Sequence, residues 1–364
     1  MKLAIVHDWL TNMGGAEQVV INFKEIYKEA PIYTTFYNPE KLDEKLRNID
    51  VRTSYLQKKK MVTNHKKYFP FMPMAFEKFD LNEYDVILSS SSSCAKGVLT
   101  KPGSIHICYC HTPMRYAWEK RDEYTNGMGK LKKKLVEILL HYMRIWDVAS
   151  SNRVDYFIAN STEVQKRIKK HYKRESVVIN PPVRCDLFNI SETDGDYYFV
   201  LSRLVGYKRF DLAVQACKEL GKKLVVAGDG PEREKLEKIA EEDKNIIFLG
   251  RQPDDVVKKY MSECKALIFP GEEDFGIVPV EAQACGRPVI AYGKGGVLDS
   301  VIENKTGVFF KEQTVESVKQ AIEKFEIMKF DKQEIRKHAL EFDEIVFQKK
   351  IKEFVEEKIK ENNL

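Results

Sequence analysis

The chain has 364 residues, of which 43% are hydrophobic and 32% are charged, so it is too long for one core and too apolar for a disordered protein. Its formal net charge of +5 excludes a dedicated nucleic-acid-binding protein. No apolar run approaches the roughly 20 residues that span a bilayer, so we expect a cytoplasmic protein, associated at most with the inner face of a membrane.

The first half alternates short apolar strands with helical patterns, which predicts an α/β, Rossmann-like domain over residues 1–183. It opens with a strand at 3–7 and a helix from 16 to about 30. Further strands are predicted at 32–36, 86–89, 105–109, 156–159 and 177–180. Between the first strand and the first helix, Gly14 and Gly15 form a flexible loop in front of a helix N-terminus, which predicts phosphate binding.

Two cationic segments of this half also carry apolar residues. Lys58–Lys67 and the aromatics behind it suit either an anionic membrane surface or a solvated loop. From Lys130 to Trp146, apolar residues at helical spacing form a stripe opposite basic residues. Such a stripe is typical of a crossover helix packed on a sheet, so we expect burial, with peripheral membrane contact as the alternative.

A loop rich in aromatic and basic residues, 111–118, follows the strand that leads into Cys110. Side chains at the carboxyl end of a parallel strand face the ligand site of such a sheet. Histidine beside arginine, tyrosine and tryptophan is typical of a sugar-binding surface. We therefore predict His111 as an active-site histidine, with Arg115 and Tyr116 beside it.

A domain boundary is predicted after Pro181-Pro182, where a polar stretch leads to Asp196. The second half, 184–343, repeats the alternation with strands at 197–201, 224–227, 246–249, 266–269 and 288–291. Residues 344–364 form a charged amphipathic helix that we expect to cross back to the first domain. Two such domains in series predict ligand sites at the carboxyl ends of their strands and a cleft between them.

Two turns of the second half carry candidate site residues. Arg203 and Lys208 follow its first strand, at a carboxyl end where ligand binding and a solvated loop are the alternatives. Gly228 opens the sequence Gly-Asp-Gly-Pro, a tight strand-to-helix turn that shapes the wall of the site.

The segment 269–291 reads as strand, loop, helix and strand. A proline at 279 suits the first turn of the helix, whose free amides and positive dipole end attract a diphosphate. These amides belong to Gly276, Ile277 and Val278. Glu273 in the loop can face a sugar, while Glu281 in the helix can accept hydrogen bonds from ribose hydroxyls. A bare Glu-x7-Glu pair is equally explained by a solvated loop charge and a glutamate near a helix start.

The setting of this glutamate pair, with Phe275 and Gly276 before a helix of small residues, resembles the retaining GT-B glycosyltransferases of family 4. The resemblance spans nearly the whole chain and includes the Ser-Arg-Leu sequence at 202–204, Lys208, and the Gly-Asp-Gly-Pro-Glu sequence at 228–232. It implies two Rossmann-like domains facing each other across a cleft, the first binding an acceptor and the second a nucleotide-sugar donor.

The resemblance also implies which residues act. Its catalytic group is His111, Arg203, Lys208 and Glu273. Its donor-binding group is Gly14, Gly15, Gly228, Arg251, Phe275, Gly276, Ile277, Val278 and Glu281, with Arg251 where the base docks. The family's chemistry implies front-face transfer with retention, in which the leaving phosphate takes the acceptor proton.

Segments 111–118, 159–161 and 178–182 are similar to parts of bacterial family-4 mannosyltransferases of polysaccharide (O-antigen and exopolysaccharide) assembly. This implies GDP-mannose as donor and a saccharide or lipid-linked saccharide as acceptor. Asp274 stands where many relatives carry glycine, which leaves the fit of the donor sugar open. A UDP-sugar donor, an epimerase or phosphorylase with the same domains, and a non-catalytic sugar-binding protein remain alternatives.

Neither a metal nor a cofactor is expected. Cys108 and Cys110 precede His111 without a second ligand pair at zinc-finger spacing. The Asp-x-Asp sequence, Asp194 and Asp196 around a glycine, lies in the predicted linker, where a turn explains it. The seven cysteines fit buried thiols of a reduced compartment.

Overall fold

A computed structural model describes residues 1–119, 125 and 128–364, and the side chains of Lys59, His65 and Lys66 lie outside the described part. The chain divides into two compact units. The first consists of Met1–Pro182 together with Phe347–Leu364, and the second is Val183–Val346.

In the described residues, the first unit contains seven strands: β1 (Leu3–His7), β2 (Ile32–Thr34), β3 (Val51–Thr53), β4 (Val86–Ser91), β5 (Ile105–Cys110), β6 (Tyr156–Ala159) and β7 (Ser176–Val178). They form one parallel sheet in the order β3-β2-β1-β4-β5-β6-β7. Successive residues of β1 point to opposite faces, with Ile5 in one apolar core and Val6 in another. Both faces of the sheet are therefore covered, as in doubly wound α/β proteins.

The α-helices that the structure describes between residues 1 and 182 are α1 (Gly15–Ile26), α2 (Lys59–Val62), α3 (Met72–Glu77), α4 (Arg115–Trp118), α5 (Lys130–Ser151) and α6 (Thr162–Tyr172). Helix α1 ends at Ile26 rather than near residue 30. Pro31 follows, and a proline disfavours helical backbone in the residue before it.

The second unit contains β8 (Tyr198–Leu201), β9 (Leu224–Ala227), β10 (Ile246–Gly250), β11 (Leu267–Phe269), β12 (Val289–Tyr292) and β13 (Gly307–Phe310). These strands are parallel in the order β10-β9-β8-β11-β12-β13. The helices are α7 (Phe210–Glu219), α8 (Arg233–Ala240), α9 (Asp254–Glu263), α10 (Ile277–Ala284), α11 (Val297–Ser300), α12 (Val315–Glu326) and α13 (Lys332–Ala339). The prediction of two Rossmann-like α/β domains is confirmed.

The last helix, α14 (Glu344–Glu361), begins in the second unit, and its residues from Phe347 onward belong to the first. Phe347 stacks on Phe23 of α1 with ring centroids 6.1 Å apart. Gln348 donates hydrogen bonds to Asn22 and Glu25 of the same helix. The chain thus returns to its N-terminal sheet by apolar packing and by polar contacts.

The apolar stripe of α5 is exposed, so the expectation of burial against the sheet is wrong for most of it. Its outer residues are Leu131, Leu135, Ile138, Tyr142 and Ile145, between 48% and 76% exposed. Helix α5 meets the core through a different face, on which Leu140 and Met143 are buried. The helix therefore has apolar residues on two sides. The stripe that was predicted to be buried lies on the side that does not pack against the core. Among the helices of the described residues, none combines the length and apolar character that crossing a bilayer requires.

Candidate active site

In the second unit, the start of α10 forms an open helix N-terminus. Gly276 precedes the helix with a φ of +87°, and a Cβ there would lie 3.0 Å from Cζ of Phe269. Only glycine adopts this backbone without strain. No side chain among the described residues caps this end, so the first amides point outward with the positive end of the helix dipole. An uncapped helix start of this kind is suited to binding an anion.

Lys208 and Glu273, two of the predicted catalytic residues, form an ion pair. Lys208 is buried at the end of the turn after β8, and Glu273 lies in the loop between β11 and α10. The ammonium also lies over the ring of Phe269, 6.0 Å from its centroid. Strands β8 and β11 are neighbours at the point where the strand order reverses, the usual ligand position of such sheets.

Gly271 permits this approach. A Cβ at Gly271 would lie 3.0 Å from Cα of Lys208 and 3.2 Å from the carbonyl oxygen of Tyr207. The turn that carries the lysine therefore packs directly on the backbone that follows β11. The Pro-Gly sequence after the apolar strand indicated this contact, because a glycine there often marks a close approach of another backbone segment.

Gly295 and Gly296, which sequence reasoning missed, pack against the backbone of Glu273 and Asp274. The amide of Gly296 donates to the carbonyl of Glu273 at 2.9 Å. A Cβ on Gly296 would lie 2.1 Å from the carbonyl oxygen of Asp274, and one on Gly295 would lie 2.5 Å from that of Glu273. The Gly-Lys-Gly-Gly sequence directly after β12 was the available signal, because a glycine run after a buried strand indicates close backbone approach.

Gly228 brings the exits of β8 and β9 together. It has a φ of +120°, and a Cβ there would lie 1.9 Å from the carbonyl oxygen of Ser202. The amide of Leu204 donates to the carbonyl of Asp229 at 3.0 Å. The turn thereby holds the backbone on both sides of Arg203, whose side chain is exposed.

Glu281 lies in the second turn of α10 and is half-buried. Burial, reinforced by Asp254 at the start of α9, raises its pKa to about 7, against the opposing effect of Lys258. The carboxyl group therefore changes from its protonated to its ionised form near neutral pH.

The remaining donor-binding candidates lie in different environments. Phe275 is buried, and its ring contacts that of Phe342 at 5.7 Å between centroids, so its side chain belongs to the core. Arg251 is exposed after β10. Gly14 and Gly15 stand at the start of α1 in the first unit, where a Cβ on Gly14 would lie 3.0 Å from Oε2 of Glu17.

In the first unit, His111 belongs to a polar cluster at the carboxyl ends of β1, β4 and β5. Its Nε2 lies 2.8 Å from Oγ of Ser90, which is also 3.1 Å from Nδ1 of His7. Nε2 of His7 lies 3.7 Å from the carboxylate of Glu17. Burial, and secondarily His7, lowers the pKa of His111 to about 3, so its ring is neutral at neutral pH.

Asp8, which sequence reasoning did not single out, fixes the loop beside this cluster. Its carboxylate accepts hydrogen bonds from the amides of Ser92, Cys94 and Ala95 at 2.6–2.8 Å. An aspartate directly after a buried strand was the signal. Strands β1 and β4 adjoin at the reversal point of the first sheet, so Asp8 shapes the ligand edge of that unit.

All seven cysteines are buried. Within residues 1–119, 125 and 128–364, no three His, Cys, Asp or Glu side chains converge as metal ligands would. The expectation of metal-independent chemistry stays a prediction.

Comparisons with known proteins agree with this arrangement. Residues 13–187 match the family model described as Glycosyltransferase Family 4, and residues 188–341 match the one described as Glycosyl transferases group 1. An uncharacterized glycosyltransferase of Methanocaldococcus jannaschii is 30% identical over 174 residues, 46% of this chain and 48% of that protein. The chain thus spans about half or less of the length of the first curated relatives it matches.

Mannosyltransferases are among the relatives. The Alpha-1,3/1,6-mannosyltransferase ALG2 of Dictyostelium discoideum is 24% identical over 372 residues, 84% of this chain and 85% of that protein. The GDP-mannose-dependent alpha-(1-6)-phosphatidylinositol monomannoside mannosyltransferase of Mycolicibacterium smegmatis is 29% identical over 138 residues, 34% of this chain and 36% of that protein.

Solved structures share the fold. The lipopolysaccharide outer core galactosyltransferase WaaB superposes with a TM-score of 0.72 at 17% identity, covering 98% of this chain and 100% of that one. Anabaena HepE in complex with UDP superposes with a TM-score of 0.71, also at 17% identity, with the same coverage.

Proposed function

The chain belongs to the GT-B glycosyltransferases of family 4, and we propose that it transfers a hexose from a nucleotide sugar to a saccharide or lipid-linked saccharide acceptor. The observation that carries this proposal is the pairing of Lys208 with Glu273 in the second unit, next in sequence to the open start of α10. A cation and free helix amides suit a diphosphate, and a carboxylate suits sugar hydroxyls.

The reaction needs charge stabilisation more than a covalent nucleophile. The bond between C1 of the sugar and the β-phosphate oxygen breaks, and a bond from C1 to the acceptor oxygen forms on the same face. The acceptor proton passes to the departing phosphate, which leaves as the nucleoside diphosphate. Lys208, Arg203 and the amides of α10 stabilise the charge that grows on that phosphate, which supports transfer without a metal.

We propose GDP-mannose as the donor. The two mannosyltransferase relatives, one of them named as GDP-mannose-dependent, support this choice. A UDP-sugar is the second candidate, supported by the fold shared with a UDP complex. Glu281 binds ribose hydroxyls in either case, and Arg251 contacts the base.

The first unit binds the acceptor in this proposal. His111 is neutral and bonded to Ser90, so it orients an acceptor hydroxyl by hydrogen bonding rather than by charge. Asp8 holds the neighbouring loop in place. Gly14 and Gly15 offer the start of α1 to a phosphate group.

A lipid-linked acceptor brings the protein to a membrane surface, and we propose peripheral contact with anionic lipid through residues 130–146 and 58–67. The exposed stripe of α5 supplies the apolar area. Lys132, Lys134 and His141 are exposed beside that stripe, and Lys58, Lys60 and Lys67 are exposed in the other segment. Cations around an apolar stripe fit an anionic bilayer, whereas they would repel the same stripe on a second copy.

The function is tested by measuring donor hydrolysis and transfer over GDP-, UDP- and other activated sugars, with and without EDTA. We expect turnover of GDP-mannose that EDTA does not reduce and a product whose anomeric configuration, read by NMR, matches the donor. Glu273→Ala, Glu281→Ala and Lys208→Ala should each lose activity. Glu237→Ala, which removes an exposed carboxylate of α8, serves as the control. Equal activity of all four variants would contradict the assigned site.

A further inference from the structure

The first unit contains a cavity of about 480 Å³ that none of the proposed catalytic or donor-binding residues lines. Arg115 and Tyr116, which were predicted beside His111, are among its lining residues. One wall is made by α5 through Val136, Leu139 and Leu140. Phe69 and Tyr116 contribute aromatic surface. This volume lies in the range of roughly 300–1,000 Å³ that small-molecule sites occupy.

The cavity also reaches the ligand edge of the sheet. Trp9 follows β1, Ser92 follows β4 and Thr112 follows β5, and all three line it. These three strands are neighbours in the sheet, and Thr112 is the residue after His111. The polar groups of the lining come from these strand-end loops and from Arg115 and Tyr116 of α4, whereas the α5 wall is aliphatic.

We propose that this cavity binds the hydrocarbon part of an amphiphilic acceptor, with the acceptor's saccharide toward the strand ends. A free saccharide would leave its hydroxyls unpaired against the α5 wall, which costs free energy. A hydrocarbon gains from burial there, while Ser92 and Thr112 offer hydrogen bonds to the polar end. The inference rests on the proposed transfer to an acceptor and specifies the chemical class of that acceptor.

Helix α5 separates this cavity from the exposed stripe described above. Val136, Leu139 and Leu140 line the cavity, while Leu135 and Ile138 of the same helical turns are exposed. A helix with apolar residues on both sides is suited to stand between an apolar ligand and an apolar surface. Binding in the cavity and membrane contact through the exposed stripe are nevertheless separate proposals, because a detergent monomer can fill the cavity without any bilayer.

The test is calorimetric binding of n-octyl β-D-glucopyranoside, below its critical micelle concentration, compared with methyl β-D-glucopyranoside. Each buried methylene contributes roughly fourfold in affinity, so we expect the octyl glycoside to bind at least about tenfold more tightly. Val136→Trp fills the cavity and should remove this advantage. Leu139→Phe fills it less and serves if Val136→Trp does not fold.

Leu99→Trp is the control, since Leu99 is exposed in the same unit and does not line the cavity. It should bind both glycosides as the unaltered protein does. Equal binding of the two glycosides, or full octyl affinity in the folded Val136→Trp variant, would overturn the inference. Binding of the glycosides is measured without a donor and does not depend on sugar transfer. A failure of sugar transfer would refute the proposed function and is observed only in the transfer assay.

Discussion

Lys208 and Glu273 lie 65 positions apart in the chain, yet their ammonium and carboxylate form an ion pair with both side chains largely withdrawn from water. Two close backbone contacts hold this pair in place. Gly271 packs against the backbone of Lys208, and the amide of Gly296 donates a hydrogen bond to the carbonyl of Glu273. Such a pair is costly to break from one side, because the remaining charge is left without its partner. In the proposed function, its geometry therefore links stability to activity.

Glu273→Gln should lower both quantities. We expect a loss of about 1–3 kcal/mol in the free energy of unfolding, less than for a fully buried pair because Glu273 retains some contact with water. Transfer should fall at least about 100-fold if the carboxylate acts on the sugar. Urea denaturation and initial rates measure the two effects.

A double-mutant cycle separates the pair from its surroundings. Adding Lys208→Met to Glu273→Gln should cost less stability than the sum of the single variants, by about 1 kcal/mol. The exposed pair Arg233–Glu237, at 2.8 Å, is the control, and Glu237→Gln should change stability by less than about 0.5 kcal/mol. Strict additivity at Lys208 and Glu273 would show that the contact is not energetically significant.

Much of this site was predictable because its residues follow buried strands, and parallel strands deliver their carboxyl ends to one edge. Lys208 and Gly276 were therefore placed at this edge from local patterns, whereas Glu281 was singled out by the resemblance to family 4, and the roles of all three stay predictions. Gly296 and Asp8 were missed because their roles lie in contacts with distant backbone. No periodicity encodes such contacts, although a glycine run or an aspartate after a strand hints at them.

Glu281 predicts a pH dependence. Its pKa in the folded state is about 7, above the 4.5 of an unperturbed glutamate, so between these values the folded protein holds a proton that the unfolded chain has released. Stability therefore falls as pH rises from 5 to 8. The full shift corresponds to about 3 kcal/mol, and we expect about 1–2 kcal/mol because water reaches the half-buried side chain.

Glu281→Gln should remove this dependence of stability on pH. In urea denaturation, the free energy of unfolding of the variant should therefore rise relative to that of the unaltered protein between pH 5 and pH 8. Glu237→Gln controls for the loss of one carboxylate at an exposed position and should keep the slope. A variant at Glu281 that parallels the unaltered protein across this range would contradict the raised pKa.

Gly276→Ala tests the start of α10. The positive φ and the contact with Phe269 should together cost about 2–3 kcal/mol of stability. GDP affinity should fall at least about fivefold, since the amides that face a diphosphate move with the backbone. Gly103→Ala has a similar φ of +89° but meets nothing within 4 Å, so it should cost only about 1 kcal/mol and leave GDP binding unchanged. Equal effects of the two variants would rule out a specific role for the helix start.

Helix α5 shows where periodicity alone misleads. Its stripe has the spacing of a buried crossover face, and the sequence could not say which of two apolar sides meets the sheet. The structure buries Leu140 and Met143 and leaves Leu131 and Leu135 in water. Burial there depends on how the helix is rotated about its axis, which is set by distant packing partners rather than by the local pattern.

The exposed stripe predicts binding to anionic vesicles. Removing Leu131 and Leu135 by double serine substitution should weaken co-sedimentation with phosphatidylglycerol vesicles at least about tenfold, because two apolar side chains no longer enter the interface. High salt should weaken binding of the unaltered protein as well, since lysines beside the stripe supply part of the attraction. Ile327→Ser removes a residue that is 87% exposed in the second unit and should leave sedimentation unchanged. Equal binding of the double variant and the Ile327 control would contradict membrane contact through the stripe.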